Sequence, residues 1–388
     1  MDSQPLEGIR VLDLTHAWQG PICTMFLAAM GAEVIKIEPP GLRQIADGGL
    51  NSDDFVVLAT CRNKRSIVLN FKEPEGKEIF YDLVKKADVV LDNYRPGVLE
   101  RLGFDYENLK SINKQIISCS ITGFGSTGPY KDRPAFDLIL QAMSGGMSIT
   151  GNPPPARSGL SISDCVGGMW AAQGVVAALY SREKTGAGNK VEVALLDGQV
   201  ALLYARVPAF FHMGNVTGGP DIPRPTYRAY KTKDGHLVIA AIGGERFWPG
   251  LCRALGREEL ATDPRFESVS KRGENGDELN SIIEEIMLGK RTEEWIERLV
   301  NEGVPAGPVN TIDKVLSDPQ VLHQQMVIPV DWVQGDTIWL AGNPIKVSGM
   351  EQIFESPPNI GQHTEEVMYQ LLGYSDTKIA ELQTRQII

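Results

Sequence analysis

Cysteine pairs are absent from this chain. Its five cysteines, Cys23, Cys61, Cys119, Cys165 and Cys252, form no C-x-x-C motif, and most lie inside apolar runs. That excludes a cysteine zinc site and a disulfide framework, and it suggests a reducing compartment. Histidine is also sparse. None of the five has a partner at metal-ligand spacing, so no metal centre is expected. A basic leader is missing, since Asp2 and Glu7 interrupt any such region, and no apolar run reaches membrane-spanning length. The expectation is a soluble cytosolic protein without a membrane partner. Positive charge is in deficit: 38 Lys and Arg stand against 49 Asp and Glu, a net charge of -11. Nonspecific nucleic-acid binding needs a basic face, so no nucleic-acid partner is expected. A polyanionic small ligand would need a local basic cluster.

What is present is ordinary globular material, 388 residues with 42% apolar and 22% charged. That is long enough for a large core and two domains. Ile9–Leu14, Val34–Ile37, Ser66–Phe71, Asp88–Asp92, Ile116–Ile121 and Lys190–Leu196 read as strands. Helical segments fall between them, with Pro21 opening the first and Gly31 closing it. Strands alternating with helices indicate βαβ units and a parallel sheet. A long loop runs from Glu38 to Arg65. Near residue 215 the character changes. Thr226–Ala241 reads as a hairpin turning at Asp234-Gly235, followed by helices over Phe247–Leu255, Glu274–Leu288 and Thr292–Asn301. Pro344–Ser348 and His363–Leu372 read as a final strand and helix. The expected division is a large Rossmann-like domain over 1–205 and 335–388, a linker over 206–225, and a smaller α+β domain over 226–330.

Asp164 is the centre of the reading. A loop of Pro, Gly and Ser ends at this carboxylate, and an Ala- and Gly-rich helix follows from about Val166 to Tyr180. Ser163 and Asp164 occupy the place of a helix N-cap. Free backbone N–H groups and the helix dipole there favour an ionised carboxylate, which can act as a nucleophile. An isolated Asp before a helix is most simply a cap, so the rest of the chain has to decide. Gly123, Gly125 and Gly128 spell G-x-G-x-x-G after a strand. The nicotinamide reading fails because Pro129 and Pro134 follow and no helix opens until about Asp137. Arg62, Lys64, Arg65, Lys72, Arg95 and Arg101 gather near strand ends, where charge-assisted bonds to phosphate are possible. An ordinary solvated surface is the competing reading. His16 lies in the turn after the first strand, and Gly243-Gly244 follows a strand of the smaller domain.

GIRVLDLTHAWQGP, GAEVIKIEPPG, NKRSIVLNFKEPEGKEIF, ADVVLDNYRPGVLERLGF, SITGFGSTGPYKDRPAFD, SGLSISD, REKTGAGNKVEVALLD and EGVPAGPVNTIDKVLSDPQV occur in this order. Together they resemble the class III CoA-transferase family, nearly end to end. The resemblance implies a CoA-transferase with Asp164 as catalytic residue. An acyl-CoA donor would pass CoA to a small carboxylic acid through an aspartyl anhydride and an aspartyl-CoA thioester. It implies no prosthetic group, with the coenzyme A thioester as substrate. It implies CoA or acyl contacts from His16, Ala17, Trp18, Gln19, Leu69, Lys72, Asn93, Tyr94 and Arg101, with Gly243 and Gly244 as a loop closing over Asp164. It also implies a homodimer of interlocked rings. Trp18 stands where oxalate enzymes of the family carry a Gln, with Gln19 one place later, which hints at a larger or less polar acyl group. Phe136 stands where the related racemases carry a His, and phenylalanine supplies no second acid or base. The alternatives are an acyl-CoA racemase or epimerase, and a CoA-binding subunit of a heteromeric transferase.

Overall fold

Strand β1 (Arg10–Asp13) lies between β2 (Glu33–Glu38) and β4 (Val89–Asp92). With β3 (Lys64–Val68), β5 (Ile117–Thr122) and β6 (Lys190–Ala194) they form one sheet of order β3-β2-β1-β4-β5-β6. Every pairing in it is parallel. The structure is a computed structural model and describes residues 4–42, 52–151, 154–214, 225–242, 245–332 and 336–388, with no side chains at 52 and 53.

The near-continuous apolar strands reflect helices on both faces. Successive strand residues point to opposite sides. Val11, Val89 and Leu91 face a core shared with α1 (Gln19–Ala29) and α7 (Ile162–Thr185). Leu12 and Val90 face a second core, shared with α3 (Pro74–Val84) and α5 (Tyr106–Ile112). The C-terminal helices α16 (Thr364–Gln370) and α17 (Asp376–Thr384) bury Val367, Met368, Ile379 and Leu382 in that second core. Between these lie α2 (Ser52–Thr60), α4 (Val98–Leu102), α6 (Asp137–Met143), α8 (Leu195–Ala201) and α9 (Arg206–Met213).

The chain divides into one unit over 1–217 and 324–388 and a second over 218–323. The second has its own core. An antiparallel sheet of β7 (Tyr227–Lys231), β8 (His236–Ala240) and β9 (Ala306–Pro308) packs with α10 (Trp248–Leu255), α12 (Gly276–Met287) and α13 (Thr292–Asn301) around Trp248, Leu251, Ile283 and Trp295. The short helices α11 (Val269–Glu274), α14 (Ile312–Leu316) and α15 (Pro319–His323) complete it.

Several local expectations change. Part of the long Glu38–Arg65 loop is α2, and α9 occupies the first half of the expected 206–225 linker. Pro344–Ser348 is not a strand. Asn343 Oδ1 accepts from Ile345 N at 3.0 Å, an Asx turn that replaces ladder bonding. The strand pair lies earlier, at β10 (Val327–Asp331) and β11 (Thr337–Ala341). Contrary to the reading of the apolar runs, α7 has 24 residues and is apolar enough by length and composition to cross a bilayer. Its Ala171, Ala172, Val175 and Leu179 are buried against the sheet, which makes it the central core helix.

Candidate active site

Sheet order decides where a ligand fits. The winding reverses between β1 and β4, and the loops leaving their carboxyl ends part to open a crevice. The β1–α1 turn supplies one wall. Asp13, fully buried, accepts from Thr15 N at 2.9 Å, Thr15 Oγ1 at 2.5 Å and Thr24 Oγ1 at 2.7 Å. Lys64 Nζ lies 3.2 Å from its Oδ2, and Lys36 Nζ donates to the Thr15 carbonyl at 2.8 Å. Burial opposes the charge on Asp13, but the two lysines and the hydroxyls outweigh it and hold its pKa far below the ordinary value. This buried knot fixes a turn in which Ala17 takes φ 62°, a left-handed conformation that costs a non-glycine residue.

The β4–α4 loop supplies the opposite wall. Asn93 Oδ1 accepts from His16 N at 3.0 Å, and its Nδ2 donates to the His16 carbonyl at 2.7 Å. The His16 and Tyr94 rings lie 5.7 Å apart. Burial, then the Lys36 charge, push the His16 pKa down, so the imidazole is neutral at neutral pH. Asp92, just inside the strand, accepts from Ser120 Oγ at 2.5 Å and Tyr94 N at 3.0 Å. Burial pushes it up to about 6.

Helix α7 supplies the floor. Its glycines explain its position: a Cβ on Gly168 would lie 2.7 Å from the Gln19 carbonyl, and one on Gly167 would collide with Leu195. Small residues let α7 press against α1 and α8, which brings its first turn to the crevice. The helix begins earlier than expected, with Ser161 as N-cap and Asp164 inside the first turn. The cap on its N–H groups comes from another helix. Asp137 Oδ1 accepts from Ser163 N at 2.8 Å.

Asp164 is 9% exposed. Among the described residues none donates a hydrogen bond to its carboxylate. Burial, then the charge of Asp137, push its pKa up to about 6. This reverses the expectation that the helix terminus would favour ionisation: burial outweighs the terminus, and Asp137 adds its charge while its carboxylate takes the Ser163 N–H. An anion with few donors is poorly stabilised, which makes it reactive toward an electrophilic carbon.

The crevice is a cavity of about 610 Å³. It brings together Asp164, His16, Ala17, Gln19, Asn93, Tyr94 and Arg101. Trp18 is outside its lining, 40% exposed before α1. Leu69 is buried in the sheet core, and Lys72 is on the surface. Neither meets this cavity. Gly243 and Gly244 lie outside the described residues. Asp137, Lys131 and Arg133 were not anticipated as lining. Asp137 was visible only as the acidic start of a helix, and nothing in the sequence ties it to Ser163. Arg133 stacks 3.7 Å from the Tyr130 ring centroid. Arg95, Arg101, Lys131 and Arg133 all line the cavity, and among the described residues none of the four has an ion-pair partner. Four unpaired cations at one crevice suit a polyanionic ligand. Asp137 and Phe136 sit beside Asp164 in the lining.

Comparison with known proteins fits this arrangement. Residues 6–364 match the model of CoA-transferase family III. The human succinyl-CoA:glutarate CoA-transferase is 35% identical, over 99% of this chain and 90% of that protein. The acetyl-CoA:oxalate CoA-transferase of Acetobacter aceti is 37% identical, over 91% and 92%. The succinyl-CoA–D-citramalate CoA-transferase of Chloroflexus aurantiacus is 34% identical, over 99% and 98%. Among solved structures, a CAIB/BAIF family protein from Brucella suis superposes with a TM-score of 0.84 at 34% identity, covering 95% of this chain and 99% of that one. A chain whose sheet reversal opens a cavity lined by a buried carboxylate and by cations without ion-pair partners among the described residues, and whose sequence matches this family almost end to end, is a CoA-transferase of family III.

Proposed function

We propose that this chain moves CoA from an acyl-CoA to a carboxylic acid through covalent intermediates on Asp164. The observation that carries the reading is the buried Asp164 carboxylate, without hydrogen-bond donors among the described residues, opening on a cavity walled by four unpaired cations. A carboxylate oxygen adds to the thioester carbonyl, the C–S bond breaks, and CoA leaves as thiolate. The product is a mixed anhydride. The thiolate attacks the aspartyl carbonyl and expels the donor acid as carboxylate, leaving an aspartyl-CoA thioester. The acceptor carboxylate attacks that carbonyl and displaces thiolate. The thiolate then takes the acceptor's acyl group and restores Asp164. Every step exchanges one anion for another, so no net proton transfer is needed. Burial keeps water from competing with the acceptor.

Arg95 and Arg101 suit CoA phosphates, and Asn93, Tyr94, His16 and Ala17 suit the pantetheine arm. The acceptors named for the three relatives are glutarate, oxalate and D-citramalate, which favours a dicarboxylic acid here. An exchange of the acyl α-proton needs a second base at the cavity. Phe136, at the place where the related racemases carry a His, is not one, which favours transfer over racemisation; His16 is the other base lining the cavity, and the absence of solvent deuterium at the acyl α-carbon would separate the two readings. Tyr204 and Phe211 are 78% and 83% exposed, large aromatic surface of the kind a second copy would cover. This supports the homodimer.

The test incubates the purified single chain with succinyl-CoA or acetyl-CoA and a panel of acids, and reads new thioesters by mass spectrometry. Borohydride should trap an adduct on the Asp164 peptide. Full turnover by Asp164→Ala would end the proposal, and dependence on a second, paralogous chain would move the activity to a heteromer.

A further inference from the structure

Asp137 and Asp164 are a pair of neighbouring carboxylates whose surroundings differ sharply. Asp137 receives all the donors. Its Oδ1 takes Ser163 N at 2.8 Å and its Oδ2 takes Gln141 Nε2 at 2.6 Å. Asp164 receives none among the described residues. The residue that makes this division is Gln141, one turn along α6 from Asp137 and 3% exposed. All three of its polar contacts serve the site. Besides holding Asp137, Nε2 donates to the Leu160 carbonyl at 3.2 Å, and Oε1 accepts from Ser158 N at 2.9 Å. One amide thus ties α6 to two residues of the segment that delivers the chain to α7. Behind it, Gln199 Nε2 donates to Ser163 Oγ at 2.7 Å, which in turn donates to the Asp137 carbonyl at 3.2 Å. The amide is fully used, and a buried glutamine in such a network holds its neighbours to one geometry.

We propose that Gln141 is a positioning residue for acyl transfer: it holds the Asp137 carboxylate in place and sets the 158–160 segment, so that Asp164 alone faces the acyl carbon. This rests on the reading of Asp164 as nucleophile. The remaining ionisable groups around the pair are Cys165 on α7, His16 from the β1–α1 turn, Tyr94 and Arg95 from the β4–α4 loop, Arg101 on α4, Lys131, Asp132 and Arg133 from the loop before α6, and the exposed Arg157 beside Ser158. On the adjoining elements, α8 adds the exposed Asp197 and β6 adds Lys190 and Glu192. None of these is hydrogen-bonded to the Gln141 side chain among the described residues.

The test uses the full chain with Gln141→Met, which keeps size and loses the hydrogen bonds. With a turnover-competent pair from the panel above, kcat should fall at least thirtyfold while KM for the acyl-CoA stays within about twofold. A substrate-free readout accompanies it: the pH dependence of the thermal-stability change caused by Asp164→Asn. Without Gln141 the Asp137 carboxylate and the 158–160 segment lose their fixed geometry beside Asp164, so the midpoint of that dependence, about 6 in the parent, should move by about half a pH unit or more in the Gln141→Met background. Gln141→Glu is the second variant. Its acid form can donate to Asp137, so the kcat profile should gain an alkaline limb that the parent lacks. An unchanged kcat and midpoint in Gln141→Met, or a parental profile in Gln141→Glu, would overturn the proposal. If Asp164→Ala retained turnover while the Gln141→Met midpoint still moved, the nucleophile reading would fail and the assignment of Gln141 to the carboxylate pair would survive.

Discussion

Asn93 and His16 exchange two hydrogen bonds, at 3.0 and 2.7 Å, across the point where the sheet reverses its winding. A side-chain amide at the end of β4 thereby copies a strand pairing for a turn that has already left β1. Asn93→Ala removes both bonds, at about 1 kcal/mol net each. The turn carrying His16 and Ala17 would then loosen. The expected result is an acyl-CoA KM raised about tenfold with a smaller change in kcat, read by steady-state kinetics beside thermal unfolding. Asn93→Asp keeps the acceptor but not the donor and should rescue only part of the effect.

Asp164 should trade stability for reactivity. Its folded pKa, about 6, lies above the ordinary 3.8. Folding therefore favours the protonated form. The penalty on the charged form is fully present above pH 6 and disappears below about pH 4. Asp164→Asn should abolish turnover and raise stability at pH 7.5 by about 1–2 kcal/mol, discounted for the remaining solvent contact. That gain should vanish as pH falls to 4. In the parent, kcat/KM should decline as pH falls through about 6, where the nucleophile is neutralised. Asp92 titrates in the same range, so the difference between parent and Asp164→Asn unfolding curves is the measurement that isolates Asp164.

Arg101 is exposed at the cavity with no ion-pair partner among the described residues. Arg101→Ala should raise KM for acyl-CoA about tenfold, the loss of roughly 1.4 kcal/mol from a charge-assisted bond to phosphate. With the matching acyl-pantetheine thioester, which lacks the nucleotide, the variant and parent should be alike. Equal losses on both substrates would show that Arg101 acts on the fold and not on phosphate.

Lys64 and Asp13 form an ion pair with no side-chain exposure at either end. Lys64→Met leaves a buried carboxylate short of a partner and should cost about 3–5 kcal/mol in urea unfolding. Adding Asp13→Asn should recover part of that loss, because the uncompensated charge is then gone. A loss under 1 kcal/mol for Lys64→Met would mean that Lys36 alone neutralises Asp13.

How much of this was legible in the sequence differs by element. The six strands of the large sheet were placed within three residues, the largest error being the end of β3, expected at Phe71 and found at Val68, because apolar runs bounded by Gly, Pro and Asn carry their own period and punctuation. Asp164 was legible as the end of a turn-rich loop before a small-residue helix, although the helix starts at Ile162 and not near Val166. The electrostatics were misjudged. A lone helix start promises free N–H groups, but here Asp137, 26 residues upstream, occupies one of them. The Asn343-Pro344 turn was misread as part of a strand because apolar spacing says nothing about which backbone N–H a side chain will capture.

By itself the sequence determined the alternation of strands and helices, the parallel sheet, the absence of paired cysteines and the carboxylate most worth testing. Local composition and period suffice for these, since each depends on residues close together in the chain. Only the tertiary structure decided that Asn93 would hold His16, that four cations without ion-pair partners among the described residues would line one cavity, that Leu69 and Lys72 would stay away from it, and that Gln141 would hold Asp137 beside Asp164. Those pairings join residues brought together by the order in which strands enter the sheet. Hydrogen bonds and charge repulsion act over a few ångströms of space, whatever the separation along the chain.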